Sequence, residues 1–200
     1  MVKEGLPFVI VPAIAALILG YFQLWPLVVV IVLLTAFLAY FFRDPHRTIP
    51  EGDDIIVSAA DGKVTRIDDT AEGKLVSVFL SPLDVHINRS PISGTITNVE
   101  YIAGKKRPAT TDQASFVNER NALTISGEKM TVIVTQIAGI VARRIVCWNK
   151  KGDELKIGQR FGLIKFSSRT DVLMPPNVDV LVGIGDRVVG GETIIAKLRT

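Results

Sequence analysis

The stretch DVLVGIGDRVVGGETIIAKL, residues 179–198, decides how this chain is expected to fold. It begins and ends with runs of branched aliphatic residues, and the turns GDRV, residues 185–188, and GGETI, residues 190–194, lie between them. Valine and isoleucine favour strands, whereas glycine and aspartate favour turns. The stretch therefore predicts a hairpin of short strands near the end of the sequence.

The same pattern extends back to residue 44, where short β-branched runs such as KLVSVFL and GTITNVEYI alternate with turn residues. No stretch from 44 to 200 has the period of a long amphipathic helix, and many short strands indicate an all-β sandwich or barrel. The Gly-Asp-x-Val-x-x-Gly hairpin resembles those of lipoyl- and biotinyl-carrier proteins, although the lysine that carriers need at the tip is absent. We therefore predict a mainly β domain, residues 43–200, with a flattened barrel-sandwich fold.

Residues 5–42 contain no charged side chain. Two apolar runs, each near the lower limit of about 17–20 residues for a bilayer-crossing helix, flank Gln23–Pro26. We predict a transmembrane helical hairpin over residues 1–42. A cleaved signal peptide fits poorly, because a second apolar run follows the first directly. The basic flanks, Lys3 and Arg43, predict that both ends and the β domain lie on the cytoplasmic side of the cell membrane.

The formal net charge of +3 includes basic clusters at 105–107, 143–144 and 150–151. Anionic lipid head groups are a suitable partner for such clusters beside a membrane. Nucleic acid is not expected, because no aromatic-interleaved basic stripe or nucleic-acid motif occurs. The single cysteine, Cys147, gives neither a disulfide framework nor a metal cluster, so no metal is expected. Exposed sheet edges leave a homo-oligomer open.

Three polar segments could together carry nucleophilic chemistry. His86 lies in VFLSPLDVHINRSPISG, with Asp84 two residues away on the same side of an extended chain. Asp61, at a glycine turn in SAADGKV, offers a second carboxylate. A carboxylate beside a histidine fixes its tautomer and raises its basicity, as an activated nucleophile requires. The paired serines Ser167 and Ser168, predicted to interrupt two strands as a turn, can supply the hydroxyl.

Six motifs together resemble the phosphatidylserine decarboxylases, in the short single-module form of archaea and many bacteria. They are FFRDPHRTIP, SAADGKV, FLSPLDVHINRSPISG, NERNALTI, QIAGIVARRIV and FGLIKFSSRTDVLMP, and they follow the family's order over residues 41–176. The resemblance implies a membrane-bound enzyme of phospholipid metabolism. Its reaction would convert the serine head group of phosphatidylserine, or of archaeal archaetidylserine, to ethanolamine.

The resemblance also implies how the cofactor arises. The proenzyme would cut itself before Ser168, and residue 168 would become a covalent pyruvoyl group. That group would form an imine, a Schiff base, with the lipid's serine amine and accept electrons as carbon dioxide leaves. His86, oriented by Asp84 or Asp61, is implied to activate Ser168 and later to donate a proton.

One position departs from the family pattern, which has glycine before the cleaved bond where this chain has Ser167. Glycine allows backbone conformations that a Cβ penalises, so Ser167 is expected to slow cleavage. The large chain, 1–167, and the small chain, 168–200, are expected to stay together. The chain is thus either a slow proenzyme or an unprocessed one.

Two rival functions remain open from the residues alone. A membrane-anchored adaptor or carrier would explain the hairpin but not the histidine and serine segments. A serine hydrolase would use Ser168, His86 and Asp84, although no G-x-S-x-G elbow is present. The second histidine, His46, directly follows the apolar segment and is interpreted as an interfacial residue.

Overall fold

The structure is a computed structural model and describes residues 1–104, 117–139, 144–165 and 168–199. The chain divides into two compact units, Met1–His46 and Arg47–Thr200. The first unit is helical, and the described residues of the second form fourteen strands. The prediction of a mainly β domain is therefore confirmed, whereas the barrel-sandwich fold stays a prediction.

The first unit is a helical hairpin that follows a short 3-10 helix, Lys3–Gly5. Helix α1 spans Leu6–Tyr21 and helix α2 spans Trp25–Phe41, and each has a proline in its first two positions, where the missing N–H costs nothing. Gln23 takes up the reversal between them with φ 57, and its N–H donates to the carbonyl oxygen of Gly20 at 2.9 Å. The turn thus lies within the predicted segment.

The first helical stretch, Lys3–Tyr21, has 19 residues and is long and apolar enough to cross a membrane. At a rise of 1.5 Å per residue it is about 28 Å long, close to the roughly 30 Å of a bilayer's hydrocarbon core. Helix α2 has 17 residues and is shorter. Large apolar side chains are exposed around both helices, including Leu17 and Leu33. A helix that is apolar all round suits a hydrocarbon environment.

The open end of the hairpin is closed by a main-chain hydrogen bond and by packing of aromatic rings. The Val2 N–H donates to the Phe42 carbonyl oxygen at 3.2 Å, and the Phe8 and Phe42 rings stack with centroids 5.3 Å apart. A Cβ added to Gly5 would lie 2.5 Å from the Phe42 Cβ, so this approach requires glycine. Both ends of the helical pair therefore lie together.

The strands in chain order are β1 (Ile55–Val57), β2 (Gly62–Thr70), β3 (Gly73–Leu80), β4 (Ile87–Arg89), β5 (Gly94–Ile102), β6 (Arg120–Ser126), β7 (Thr131–Ala138), β8 (Arg144–Cys147), β9 (Glu154–Leu155), β10 (Arg160–Lys165), β11 (Ser168–Met174), β12 (Val178–Val180), β13 (Arg187–Val188) and β14 (Ile194–Leu198). They form one eight-stranded sheet, in the order β13-β2-β3-β11-β7-β6-β5-β9. Two three-stranded sheets have the orders β1-β14-β12 and β4-β10-β8.

Strand β11 lies inside the eight-stranded sheet, paired antiparallel with β3 on one side and β7 on the other. Its even-numbered residues face the main core, since Val172 and Met174 pack there with Val76 and Val134. This alternation is the period of two expected for strands. It places Ser168 on the core-facing side of a central strand.

The prediction that the paired serines form a turn between two strands is wrong for Ser168, which is the first residue of β11. Ser168 pairs with Leu80 of β3 and Ala138 of β7. Strand pairing on both sides of β11 contributes more to the conformation of Ser168 than the weak strand propensity of serine. Ser167 lies outside the described residues.

Candidate active site

Ser168 has a buried hydroxyl, with 0% of the residue exposed. Its Oγ has no hydrogen-bond partner among the residues that the structure describes. Leaving a buried polar group unpaired costs about 1–3 kcal/mol, and such groups call for a specific explanation. Ser77 Oγ shares the property but is on the other face of the sheet, opposite Asp171. The Ser168 hydroxyl is therefore a candidate nucleophile.

His86 lies immediately before β4 and is 2% exposed. Its Nδ1 is 3.0 Å from the main-chain carbonyl oxygen of Asp84. A carbonyl oxygen can only accept, so in a neutral imidazole this contact puts the proton on Nδ1. Nε2 is then the basic nitrogen of His86, as a general base requires.

The Asp84 carboxylate makes contacts of its own. Its Oδ2 accepts the Ser81 N–H at 2.8 Å and the Ser81 hydroxyl at 2.7 Å, which closes the turn before His86. Its Oδ1 pairs with the Arg187 guanidinium of β13. Asp84 thus holds His86 through its main-chain oxygen, while its side chain fixes the turn.

Asp61 is at the glycine turn before β2, as predicted, and its carboxylate also has partners there. Arg47 Nη2 donates to both oxygens, at 2.7 and 2.9 Å, and the Gly190 N–H donates at 2.8 Å. The carboxylate therefore connects the start of the β unit to its last hairpin. The structure brings Asp84 and His86 together through the main chain, and it gives Asp61 a bracing role between distant segments.

The fold brings the His86 segment to the chain just before Ser168. The Ile164 N–H of β10 donates to the His86 carbonyl oxygen at 3.2 Å, which extends the β10–β4 ladder by one residue. Ser168 follows Ile164 by only four residues. Asn88 Nδ2 donates to Thr170 Oγ1 at 2.9 Å. Asn88 follows His86 by two residues, and Thr170 follows Ser168 by two residues. These two contacts hold the segment that carries His86 against β10 and against β11, the strand that begins at Ser168.

Arg187, Asn88 and Gln136 contact this site and were not among the predicted residues. Gln136 has a visible signal in the sequence, because it occupies an inward position of TVIVTQIA where valine or alanine is expected. Its Nε2 donates to Asn88 Oδ1 at 2.9 Å. Arg187 carries no local signal, since its partner Asp84 is 103 residues away.

Other features of the described residues lie outside this site. A cleft of about 810 Å³ is lined by residues that include Ser93, Lys129 and Glu154, and by none of the four predicted site residues.

Cys147 is free and half-buried, and burial raises the pKa of its thiol, which keeps it protonated at neutral pH. In the part of the chain described, no group of three His, Cys, Asp or Glu residues could hold a metal ion.

The structure thus gives a buried serine at the head of a central strand and, in a segment hydrogen-bonded to β10 and β11, a histidine whose Nδ1 faces a carbonyl oxygen, which are residue types suited to nucleophilic and acid–base chemistry. The profile of the family described as phosphatidylserine decarboxylase matches residues 34–196. The phosphatidylserine decarboxylase proenzyme of Symbiobacterium thermophilum is 47% identical over 207 residues, covering 98% of this chain and 94% of that protein. This chain belongs to the phosphatidylserine decarboxylase family.

Proposed function

We propose that this chain is a self-cleaving proenzyme whose mature form removes carbon dioxide from the serine head group of phosphatidylserine or archaetidylserine, leaving the ethanolamine lipid. Membership of the family supports the reaction, and the relative of Symbiobacterium thermophilum is itself named a proenzyme. The observation that carries the proposal is the buried Oγ of Ser168, which has no hydrogen-bond partner among the described residues. Ser168 begins the strand that follows β10, the strand bonded to His86.

Self-cleavage would start at the bond between residues 167 and 168. His86 Nε2 takes the proton of the Ser168 hydroxyl, Oγ bonds to the carbonyl carbon of residue 167, and the C–N bond breaks. The amide becomes an ester, and the amine of residue 168 takes up a proton. Loss of the Ser168 Cα proton then expels the carboxylate of residue 167 and leaves dehydroalanine. Addition of water to its imine tautomer releases ammonia and leaves a ketone at residue 168.

The residues present fit a pyruvoyl group at position 168. The Ser168 hydroxyl is buried and unpartnered among the described residues, so its removal breaks no hydrogen bond described there. Strands on both sides hold the residue in place. A pyruvoyl ketone supplies an electron sink for the electron pair left when carbon dioxide departs. His86 Nε2 would return a proton to the lipid carbon, and its Nδ1 hydrogen bond to Asp84 keeps the ring oriented.

The small chain 168–200 would remain bound to the large chain after cleavage. It contributes β11 to the middle of the eight-stranded sheet and β14 to the middle of a three-stranded sheet. Its buried core residues include Val172, Met174 and Ile195, and each large apolar side chain contributes about 1.5–3 kcal/mol on burial. Cutting one bond at the head of β11 leaves these contacts intact.

A membrane location would bring the enzyme to its lipid substrate. We propose residues 1–42 as the anchor and residues 43–200 as the catalytic domain on the cytoplasmic side. The apolar stretch Lys3–Tyr21, long enough to cross a bilayer, supports the anchor. Diacyl and archaeal ether lipids share the head group at which the chemistry occurs, so either suits the site.

Removing residues 1–42 is expected to give a folded, soluble β domain whose activity on lipid vesicles falls sharply. The β unit has its own core, built from strands of Arg47–Thr200, and needs no helix to complete it. Circular dichroism, gel filtration without detergent and a vesicle assay measure the outcome. Recovery of only aggregated protein, under conditions where the full chain in detergent is monodisperse, would contradict the proposed two-domain arrangement.

Intact mass spectrometry of the purified chain and of its Ser167→Gly variant tests the proposed function most directly. We expect the variant to be cut faster than the parent, because glycine removes a Cβ from the cleaved bond and leaves the nucleophile unchanged. The cut protein should convert phosphatidylserine or archaetidylserine to the ethanolamine lipid with release of carbon dioxide. Complete cleavage of the variant without any lipid conversion would refute the proposed reaction.

A further inference from the structure

A line of buried polar side chains runs across neighbouring strands of the eight-stranded sheet, near the candidate site. Asn121 Nδ2 donates to Gln136 Oε1 at 3.1 Å, and Gln136 Nε2 donates to Asn88 Oδ1 at 2.9 Å. Asn88 Nδ2 then donates to Thr170 Oγ1 at 2.9 Å. Gln136 and Asn88 each accept with the amide oxygen and donate with the amide nitrogen, so the line runs in one direction. We refer to these four residues as the amide relay.

The relay is unusual for its burial. Asn88, Gln136 and Thr170 are 0% exposed and Asn121 is 3% exposed. Buried amides weaken a core unless they are hydrogen-bonded, and a partly satisfied network is worse than an apolar one. Valine or leucine at these inward strand positions would be the simpler solution. A continuous relay at this place therefore calls for a reason beyond core packing.

The relay joins two sheets between which the described residues form no strand ladder. Asn88 is in β4, a member of the β4-β10-β8 sheet, whereas Thr170 is in β11 of the eight-stranded sheet. Gln136 of β7 also donates to the Val146 carbonyl oxygen of β8 at 3.4 Å. A Cβ added to Gly162 of β10 would lie 2.9 Å from Gln136 Nε2, so glycine there leaves room for the amide.

Asn88 and Thr170, which are hydrogen-bonded to each other, are each two residues from a residue of the candidate site. Asn88 follows His86 by two residues on an extended segment, and Thr170 follows Ser168 by two residues on β11, so each pair shares a side of its strand. The bond between Asn88 and Thr170 therefore sets how the histidine segment lies against the serine strand.

We propose that the amide relay, through Asn88 and Thr170, positions His86 against residue 168 for self-cleavage and for the later proton transfer. The inference rests on the proposed function, because both reactions use that pair. Thr170 and Asn88 are positioning residues, since they act through their neighbours in the strand. Loss of the hydrogen bond between Asn88 and Thr170 is expected to slow self-cleavage by about 10- to 100-fold, because small misplacements of reacting groups have effects of that size.

The test compares self-cleavage in Thr170→Val, Thr170→Ser and Val172→Ala. Valine keeps the shape of threonine but removes the acceptor for Asn88, whereas serine keeps the hydroxyl. Val172→Ala is the matched control, because Val172 is a buried residue on the same face of β11 that takes no part in the relay. Cleavage is followed by mass spectrometry, well below each variant's melting temperature.

The inference predicts slow cleavage in Thr170→Val, a rate within a few-fold of the parent in Thr170→Ser, and a near-parental rate in Val172→Ala. Parental cleavage in Thr170→Val, or equal slowing in Val172→Ala, would overturn it. Should Thr170→Val not fold, Gln136→Met removes the donor to Asn88 at similar length and is expected to slow cleavage in its place.

A second measurement does not depend on cleavage. The chain has two histidines, so ¹⁵N-histidine labelling gives two sets of ring-nitrogen signals, which a His46→Ala variant assigns. The His86 signals should shift in Thr170→Val and stay parental in Val172→Ala, and unchanged signals in both would overturn the relay's role. Cleavage in a Ser168→Ala variant would instead refute the proposed function. The His86 ring signals would still show whether the relay positions the histidine.

Discussion

Replacing Ser168 with alanine is expected to give an uncut and inactive chain, whatever residue occupies position 167. The variant lacks the only oxygen that could attack the preceding carbonyl from residue 168, so neither the ester nor the ketone can form. Because Ser168 Oγ has no partner among the described residues, its removal should leave folding nearly unchanged. Denaturing electrophoresis should show one full-length band, and circular dichroism a native β spectrum.

The fragment released by the parent identifies the cut. Cleavage before Ser168 gives a 33-residue small chain, residues 168–200, blocked to amine-directed sequencing and reactive toward hydroxylamine or borohydride. The Ser167→Ala variant should still be cut slowly, since no role is assigned to that hydroxyl. The alternative nucleophile is Ser167, with a cut after Phe166. It predicts the reverse, with Ser167 variants uncut, Ser168→Ala active and a fragment one residue longer.

Replacing His86 with alanine is expected to reduce the rate of self-cleavage by about 10²–10⁴-fold, the usual loss when a general base is removed. The Nδ1 contact with the Asp84 carbonyl oxygen makes Nε2 the basic nitrogen, and alanine removes it. The rate is measured from the ratio of cut to intact chain over time. The same variant, once cut by prolonged incubation, should also decarboxylate lipid slowly.

His46→Ala is the matched control, because His46 is the only other histidine and is exposed. It should process at a nearly parental rate. Equal cleavage in the His86 variant and the parent would remove His86 from the mechanism. Equal slowing in both histidine variants would point to a general effect on the protein rather than to one base.

The sequence alone predicts the elements whose signals are local. Alternation of valine and isoleucine with turn residues predicts most of the long strands, including β3, β5 and β7, and the charge-free segment predicts the helical pair with its turn at Gln23. Short strands such as β9 and β13 have two residues each and carry no detectable period. Their pairing depends on neighbours elsewhere in the chain.

Ser168 shows where local reasoning gives the wrong structure. Two adjacent serines indicate a turn, because their hydroxyls compete for main-chain hydrogen bonds. In the fold, Ser168 instead pairs with Leu80 and Ala138 at the head of β11. Tertiary pairing on both sides decides its conformation, since two ladders contribute more than the propensity of one residue.

The sequence by itself determined the β architecture and the apolar hairpin and singled out the candidate serine and histidine, because periodicity, composition and motifs are properties of short segments. Only the tertiary structure decided what each polar group contacts. It paired Asp84 with Arg187, braced Asp61 against Arg47, and gave His86 a carbonyl oxygen rather than a carboxylate for its Nδ1. These partners are hydrogen-bonding groups of ordinary types, and which of them meet depends on how strands from distant parts of the chain are stacked and registered.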